Sequence, residues 1–241
     1  MERLLHLVGA GVVTDEVAAI TELVADAPGC EILPVENVAA QERLAALAIR
    51  AAHQAWTMSH SAEVSGEQIG LICVSAWGAI DATVGYLESM FEAGGKFASP
   101  RLFSRSVYSS IAAAVAIAFG LKGPCETLAF ASEDAVTGAL AAAWRLLAAE
   151  RAERVLVVWA EQAAAVAHDL ARRAATGLHK KEYARYALEL GEGATAVMVS
   201  RSPGIASIRL PAAAAGAWAG KPFAMDSAAA WVRTALPKSV G

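Results

Sequence analysis

Long apolar runs, cysteine and charge are all scarce in this chain of 241 residues, and each scarcity excludes something. No apolar run approaches the 18 or so residues of a membrane-spanning helix, so no insertion into a membrane is expected. The N-terminus MERLLHLVGAGVV has neither the basic segment nor the cleavage site of a signal peptide, and a cytoplasmic location is expected. Three cysteines, Cys30, Cys73 and Cys125, are an odd number with no C-x-x-C spacing. Neither a disulfide framework nor a zinc site is signalled, and a reducing compartment fits.

Charged residues are only 18% of the chain and the formal net charge is −4. No basic cluster stands out beyond Lys180-Lys181, which argues against nucleic acid as a partner. His53 and His60 lie seven apart, outside the spacing of a helical metal pair, and no metal or other cofactor is expected. Gly9-Ala10-Gly11 would need a third glycine at position 14 to make a dinucleotide fingerprint, and that residue is Thr14. No internal repeat is visible.

What is present is apolar: 56% of residues are hydrophobic, and some of that surface is expected to meet a partner. The stretch from Ser99 to Glu161 organises the rest. Ile111 to Phe119 is nine apolar residues closed by Gly120, which suits a short helix buried on every face. A turn at Gly123-Pro124 leads into a strand from Glu126 to Ala131, which meets Ser132-Glu133-Asp134 at the head of an Ala/Leu-rich helix. A strand ending on a helix N-terminus favours negative charge, which is why nucleophiles use such corners.

Around this centre, Arg3 to Val13 reads as a buried strand whose glycines mark its turn, and Val38 to Met58 as an amphipathic helix. Gly70 to Ala76, Val155 to Trp159 and Gly193 to Ser200 read as buried strands, with helices at Asp81 to Glu92 and His168 to Ala175. The alternation predicts an α/β sheet with helices on its faces. The Ala/Gly/Pro-rich tail, with Trp218, Phe223, Met225 and Trp231, reads as a C-terminal arm over 203–241 that covers apolar surface, and Asp226-Ser227 as the cap of a short helix in it.

Gly120-Leu121-Lys122-Gly123-Pro124, the strand to Ala131, the helix after Ser132, the strand ending Ala160-Glu161, and Leu190-Gly191-Glu192-Gly193-Ala194 follow in the order of landmarks in the N-terminal half of β-ketoacyl synthases. SPRLFSRSVYSSIAAAVAI is similar to the Phe-x-x-Ser-Val pattern of short ketosynthase-like and chain length factor-like proteins of aryl polyene and type II fatty acid or polyketide systems. The resemblance covers Leu4 to Ser202 and implies a domain over 1–202. It implies the thiolase-like fold, here a single N-terminal half with a mixed five-stranded sheet and flanking helices.

The resemblance also implies site residues. Ser132 stands where the family has its cysteine nucleophile, and the family's decarboxylating histidines and lysine lie in a second half that nothing after Gly193 resembles. His168 and His179 match no motif of that half. A serine hydroxyl needs a base that a thiolate does not, and Glu133 and Asp134 would oppose an adjacent alkoxide, so Ser132 reads as a helix cap. Cys125 reads as a turn cysteine, and Glu161 and the Gly191-Glu192-Gly193 turn as structural.

Phe103, Ser106, Tyr108, Ser109, Ser110, Ala113, Phe119 and Phe130 are the residues that the resemblance places at a dimer interface and acyl tunnel, with Ser109 and Ser110 at a partner's pocket floor. Small residues there leave volume for an acyl chain, although the alanines also suit close helix packing. The implied role is a non-catalytic, chain length factor-like subunit of a heterodimer with a full-length β-ketoacyl synthase, meeting the acyl carrier protein indirectly. An acyltransferase or hydrolase using Ser132 as acyl acceptor is the alternative, and a decayed half-length product a third.

Overall fold

The computed structural model describes residues 4–14, 40–129, 134–162, 166, 169 and 192–210. Strands whose two faces are both covered carry continuous apolar runs, and three such runs make the centre of the sheet. They are β2 (Ile69–Ser75), β4 (Arg154–Glu161) and β5 (Gly193–Ser200), each buried along almost its whole length. With β1 (Leu4–Thr14), β3 (Cys125–Ala129) and β6 (Ala206–Arg209) the order is β3-β2-β4-β5-β1-β6. β2 pairs in parallel with β3 and β4, whereas the β4–β5, β5–β1 and β1–β6 pairings are antiparallel.

The sheet therefore has six strands, not five. The sixth, Ala206–Arg209, lies within the stretch read as the start of the arm. It is a four-residue edge strand with only Ile208 buried, too short and too polar to stand out by pattern. Phe130, Ser132, the arm from residue 211 on and, apart from Asp169, which is helical, the helix expected at His168 to Ala175 lie outside the described residues.

Five helices flank the sheet among the described residues: α1 (Ala40–Met58), α2 (Ile80–Glu92), α3 (Pro100–Ser106), α4 (Ser110–Phe119) and α5 (Asp134–Ala148). α5 covers one face through Ala139, Leu140, Ala143 and Leu147, against Ile72, Val157, Trp159 and Val197. α1 and α4 cover the other face, against Leu71, Cys73, Val158, Ala196 and Met198.

Gly9 and Gly11 make no turn: both lie inside β1. A Cβ at Gly9 would overlap the carbonyl oxygen of Ala55, and one at Gly11 that of Ala51, so the glycines let α1 lie directly on the strand. A register shift between Leu7 and Gly9 bends β1 at the crossing. Gln54 of α1 accepts a hydrogen bond from the Val12 amide at 2.7 Å.

α3 opens on Ser99, whose Oγ accepts from the Leu102 amide at 3.4 Å, with Pro100 in its first turn. It meets α4 at a 93° bend. Gly120, at φ 63°, stops α4, and the Leu121 amide donates back to the Ala116 carbonyl at 2.9 Å. α4 is not buried on every face: Ile111, Ala112 and Val115 are, whereas Ala113 and Ala118 are exposed and Ile117 is 82% exposed. An apolar run shows that a helix shuns water but not how many neighbours cover it.

Candidate functional site

β2, β3 and β4 run the same way, so the segments that follow their C-terminal ends share one end of the sheet. In open α/β sheets ligands bind at this end. Ser75, the last residue of β2, stands opposite Ala129, the last of β3, and Glu161, the last of β4, is paired with Gly193 at the start of β5. Ala129 and Asp134 bracket Ser132, whose own placement is outside the description. On the far side of that gap, the Trp159 indole reaches the Ala135 carbonyl at 3.5 Å.

The best-defined polar feature at this end is Glu161, only 7% exposed. Its carboxylate accepts from the Ser75 hydroxyl at 3.1 Å, from the Ala76 amide, and from the Trp77 amide at 3.4 Å. Ser75 Oγ in turn accepts from the Gly78 amide at 2.8 Å, so the turn from Ser75 to Gly78 is folded around this carboxylate. Burial pushes the Glu161 carboxyl up to about 7, against the three hydrogen bonds that favour its charged form.

Next to it, Gln162 donates to Asp81 in the first turn of α2 at 3.0 Å. Burial raises the Asp81 carboxyl, and the charge of Glu192 raises it further. Glu192 is buried just before β5 and forms an ion pair with Arg43 of α1. Burial likewise raises the Tyr108 phenol, with a smaller push from Glu161. Among the described residues no group of three or more His, Cys, Asp or Glu is placed to hold a metal ion.

Neither described cysteine is poised as a nucleophile. Cys73 is buried within β2, and its thiol is pushed well up by burial and then by Cys125. Cys125 is the exposed first residue of β3, and burial of its thiol and the charge of Glu126 raise it too. A thiol shifted in that direction carries less thiolate at neutral pH than a free cysteine.

The candidate interface residues fall into two groups. Phe103, Tyr108, Ser109 and Ala113 are exposed along α3, the corner and α4, with Ser106 and Ser110 half-buried beside them. Phe103 rests on Tyr86 of α2, ring centres 5.6 Å apart, and Ser106 is tied down by the Thr83 hydroxyl, which donates to its carbonyl at 2.8 Å. Phe119 is apart from them at the far end of α4, against Trp56 of α1 at 5.2 Å.

Residues 24–205 match the family described as Beta-ketoacyl synthase, N-terminal domain. The chain belongs to this family. No curated protein matches it in sequence. Among solved structures it is similar to the ishigamide ketosynthase/chain length factor, at 22% identity and TM-score 0.63, over 85% of this chain and 65% of that one. It is also similar to a type II polyketide synthase ketosynthase bound to the hexaketide and in complex with its acyl-carrier protein, at 14% identity and TM-score 0.59, over 83% and 64%. A third is a ketosynthase in complex with its chain length factor from Xenorhabdus doucetiae, at 16% and TM-score 0.53, over 83% of this chain and 80% of that one.

At these identities the likeness is one of fold, and the fold is the thiolase-like one: a mixed sheet between helical layers. The chain spans about two thirds of the first two structures' length. Glu161, read from the sequence as structural, holds the Ser75–Gly78 turn; which backbone it holds was not legible, because its donors lie 84 to 86 residues away.

Proposed function

We propose that this protein is a non-catalytic, chain length factor-like subunit that pairs with a full-length β-ketoacyl synthase in the cytoplasm and helps shape the tunnel for the growing acyl chain. Fatty acid, aryl polyene and polyketide assembly are the settings this role fits, with the acyl carrier protein docking mainly on the partner. The observation that carries the proposal is the bare apolar surface of α3, the corner and α4. Phe103 is 53% exposed, Tyr108 39% and Ile117 82%, with Ala113 exposed between them. β3 lies beside α4 and, among the described residues, pairs only with β2, so its outer edge is open. A surface of this composition loses solvent-exposed apolar area on pairing, at roughly 25 cal/mol per Å².

One feature supports a partner role over catalysis: by the resemblance, Ser132 stands where the family has its cysteine nucleophile. A serine hydroxyl requires a positioned base, and restoring cysteine alone would not supply the groups that activate the electrophile.

The test is reconstitution with a full-length synthase and carrier-protein substrates. Ser110→Phe or Ala113→Phe should shorten the products while the complex stays intact. Unchanged product length refutes the tunnel role, and dissociation leaves only the interface. Condensation by the isolated chain would overturn the non-catalytic assignment, as would covalent acylation that is lost in Ser132→Ala. Ser132→Cys is expected to show no synthase activity on its own.

A further inference from the structure

The peptide plane between Ala76 and Trp77 is gripped on both edges. Its N–H, that of Trp77, points to Glu161 Oε2 at 3.4 Å, and its C=O, that of Ala76, accepts from the Tyr108 hydroxyl at 2.6 Å. The plane is a rigid trans unit whose N–H and C=O point opposite ways, so turning it breaks both contacts together. Gly78, at φ 59°, completes the seat: a Cβ there would come within 3.0 Å of the Tyr108 ring, which therefore lies directly over the glycine.

Tyr108 belongs to the corner between α3 and α4, and Ser109 and Ser110 follow it immediately. The corner's other tie, from Thr83 to the Ser106 carbonyl, comes from α2, the helix that leaves the same turn. α2 is held in its turn by Gln162, the residue after Glu161. Both residues at the end of β4 thus reach into what supports the corner.

We infer that Glu161 is a positioning residue for the partner face: it orients the Ser75–Gly78 turn, and the turn orients Tyr108 and the corner that carries Ser109 and Ser110. The claim that the corner faces a partner rests on the proposed function, whereas the mechanical link does not. Among the described residues, Tyr108 of the corner is the ionisable group that feels the charge of Glu161, while the adjacent Gln162 holds Asp81 of α2, on which Glu192, paired with Arg43 of α1, acts.

Residue-resolved hydrogen exchange on the isolated full chain tests the link first. Glu161→Ala should speed exchange across residues 104–112 about tenfold or more, while Glu161→Gln, which keeps one of the two acceptor oxygens, should leave them nearer the parent, within about threefold. Acceleration confined to residues 75–78 would overturn it. Should Glu161→Ala not fold, Tyr108→Phe carries the same test from the other edge. Faster exchange of the Trp77 amide supports the link and an unchanged rate overturns it.

Capture by a co-expressed full-length ketosynthase is then compared at equal chain concentration. Weakening by about tenfold in Glu161→Ala, restored in Glu161→Gln, supports the positioning of a partner face. Faster exchange at 104–112 with unchanged capture overturns that assignment and leaves the link between Glu161 and the corner standing.

Discussion

α1 and α4 pack on the same face of the sheet, both are rich in alanine, and they end up differently. α1 buries Leu44, Leu47, Ala48, Ala51, Ala52 and Ala55, and leaves His53 exposed on its other side. Its alanines sit so low on β1 that only glycine fits beneath them. α4 has no polar residue after Ser110, yet buries only Ile111, Ala112 and Val115. An amphipathic helix declares one contact, and α1 has it. A helix apolar all round declares at least two, and the described part of this chain supplies α4 with one. The difference marks where the fold is closed and where it is left open.

The sharpest way to break this contrast is at the closed seam. Gly11→Val puts a branched side chain into the Ala51 backbone, where no rotamer change relieves it, and should cost more than about 3 kcal/mol. Soluble expression and urea unfolding check this, and a folded variant with near-parent stability would show that α1 can lift off β1.

Truncating the closed side of α4 comes next. Ile111→Ala removes a side chain buried against Leu71 and Cys73 of β2, and is expected to cost about 2–4 kcal/mol in the same unfolding experiment.

A third effect is set by pH. Folding raises the Glu161 carboxyl from 4.5 to about 7, so the folded chain holds a proton that the unfolded chain releases. This contribution is complete below pH 4.5 and is lost as pH rises through about 7. Between those values stability should fall by at most about 1.4 kcal/mol per pH unit from this group. Unfolding midpoints at pH 5 and pH 8 measure it, and Glu161→Gln should flatten the difference.

The smallest effect on stability belongs to the open side. Ile117→Ser should change the isolated chain by no more than about 0.5 kcal/mol, yet weaken capture by a full-length synthase about tenfold or more. A stability loss as large as that of Ile111→Ala would mean that Ile117 is covered within the chain itself.

The central strands were legible because burial on both faces leaves a signature within a few residues. Gly193–Ser200 falls where its apolar run predicts, and β2 and β4 within two residues of theirs. The family landmarks were legible for a related reason, since each is a short local pattern. Gly9 and Gly11 misled because glycine in sequence looks the same whether it bends a chain or admits a neighbour. Glu161 gave no local sign of its three donors, and Glu192 none of Arg43, which is 149 residues away.

The sequence by itself determined the fold family, the alternation of strand and helix, and the absence of cysteine at position 132, because these rest on local pattern and residue identity. Tertiary structure alone decided the strand order, the sixth strand, the crossing of α1 on two glycines, the burial of Glu161 and the bare face of α4. Each of those depends on which distant segment arrives as a neighbour, and burial, hydrogen bonding and pKa are properties of neighbours rather than of a residue.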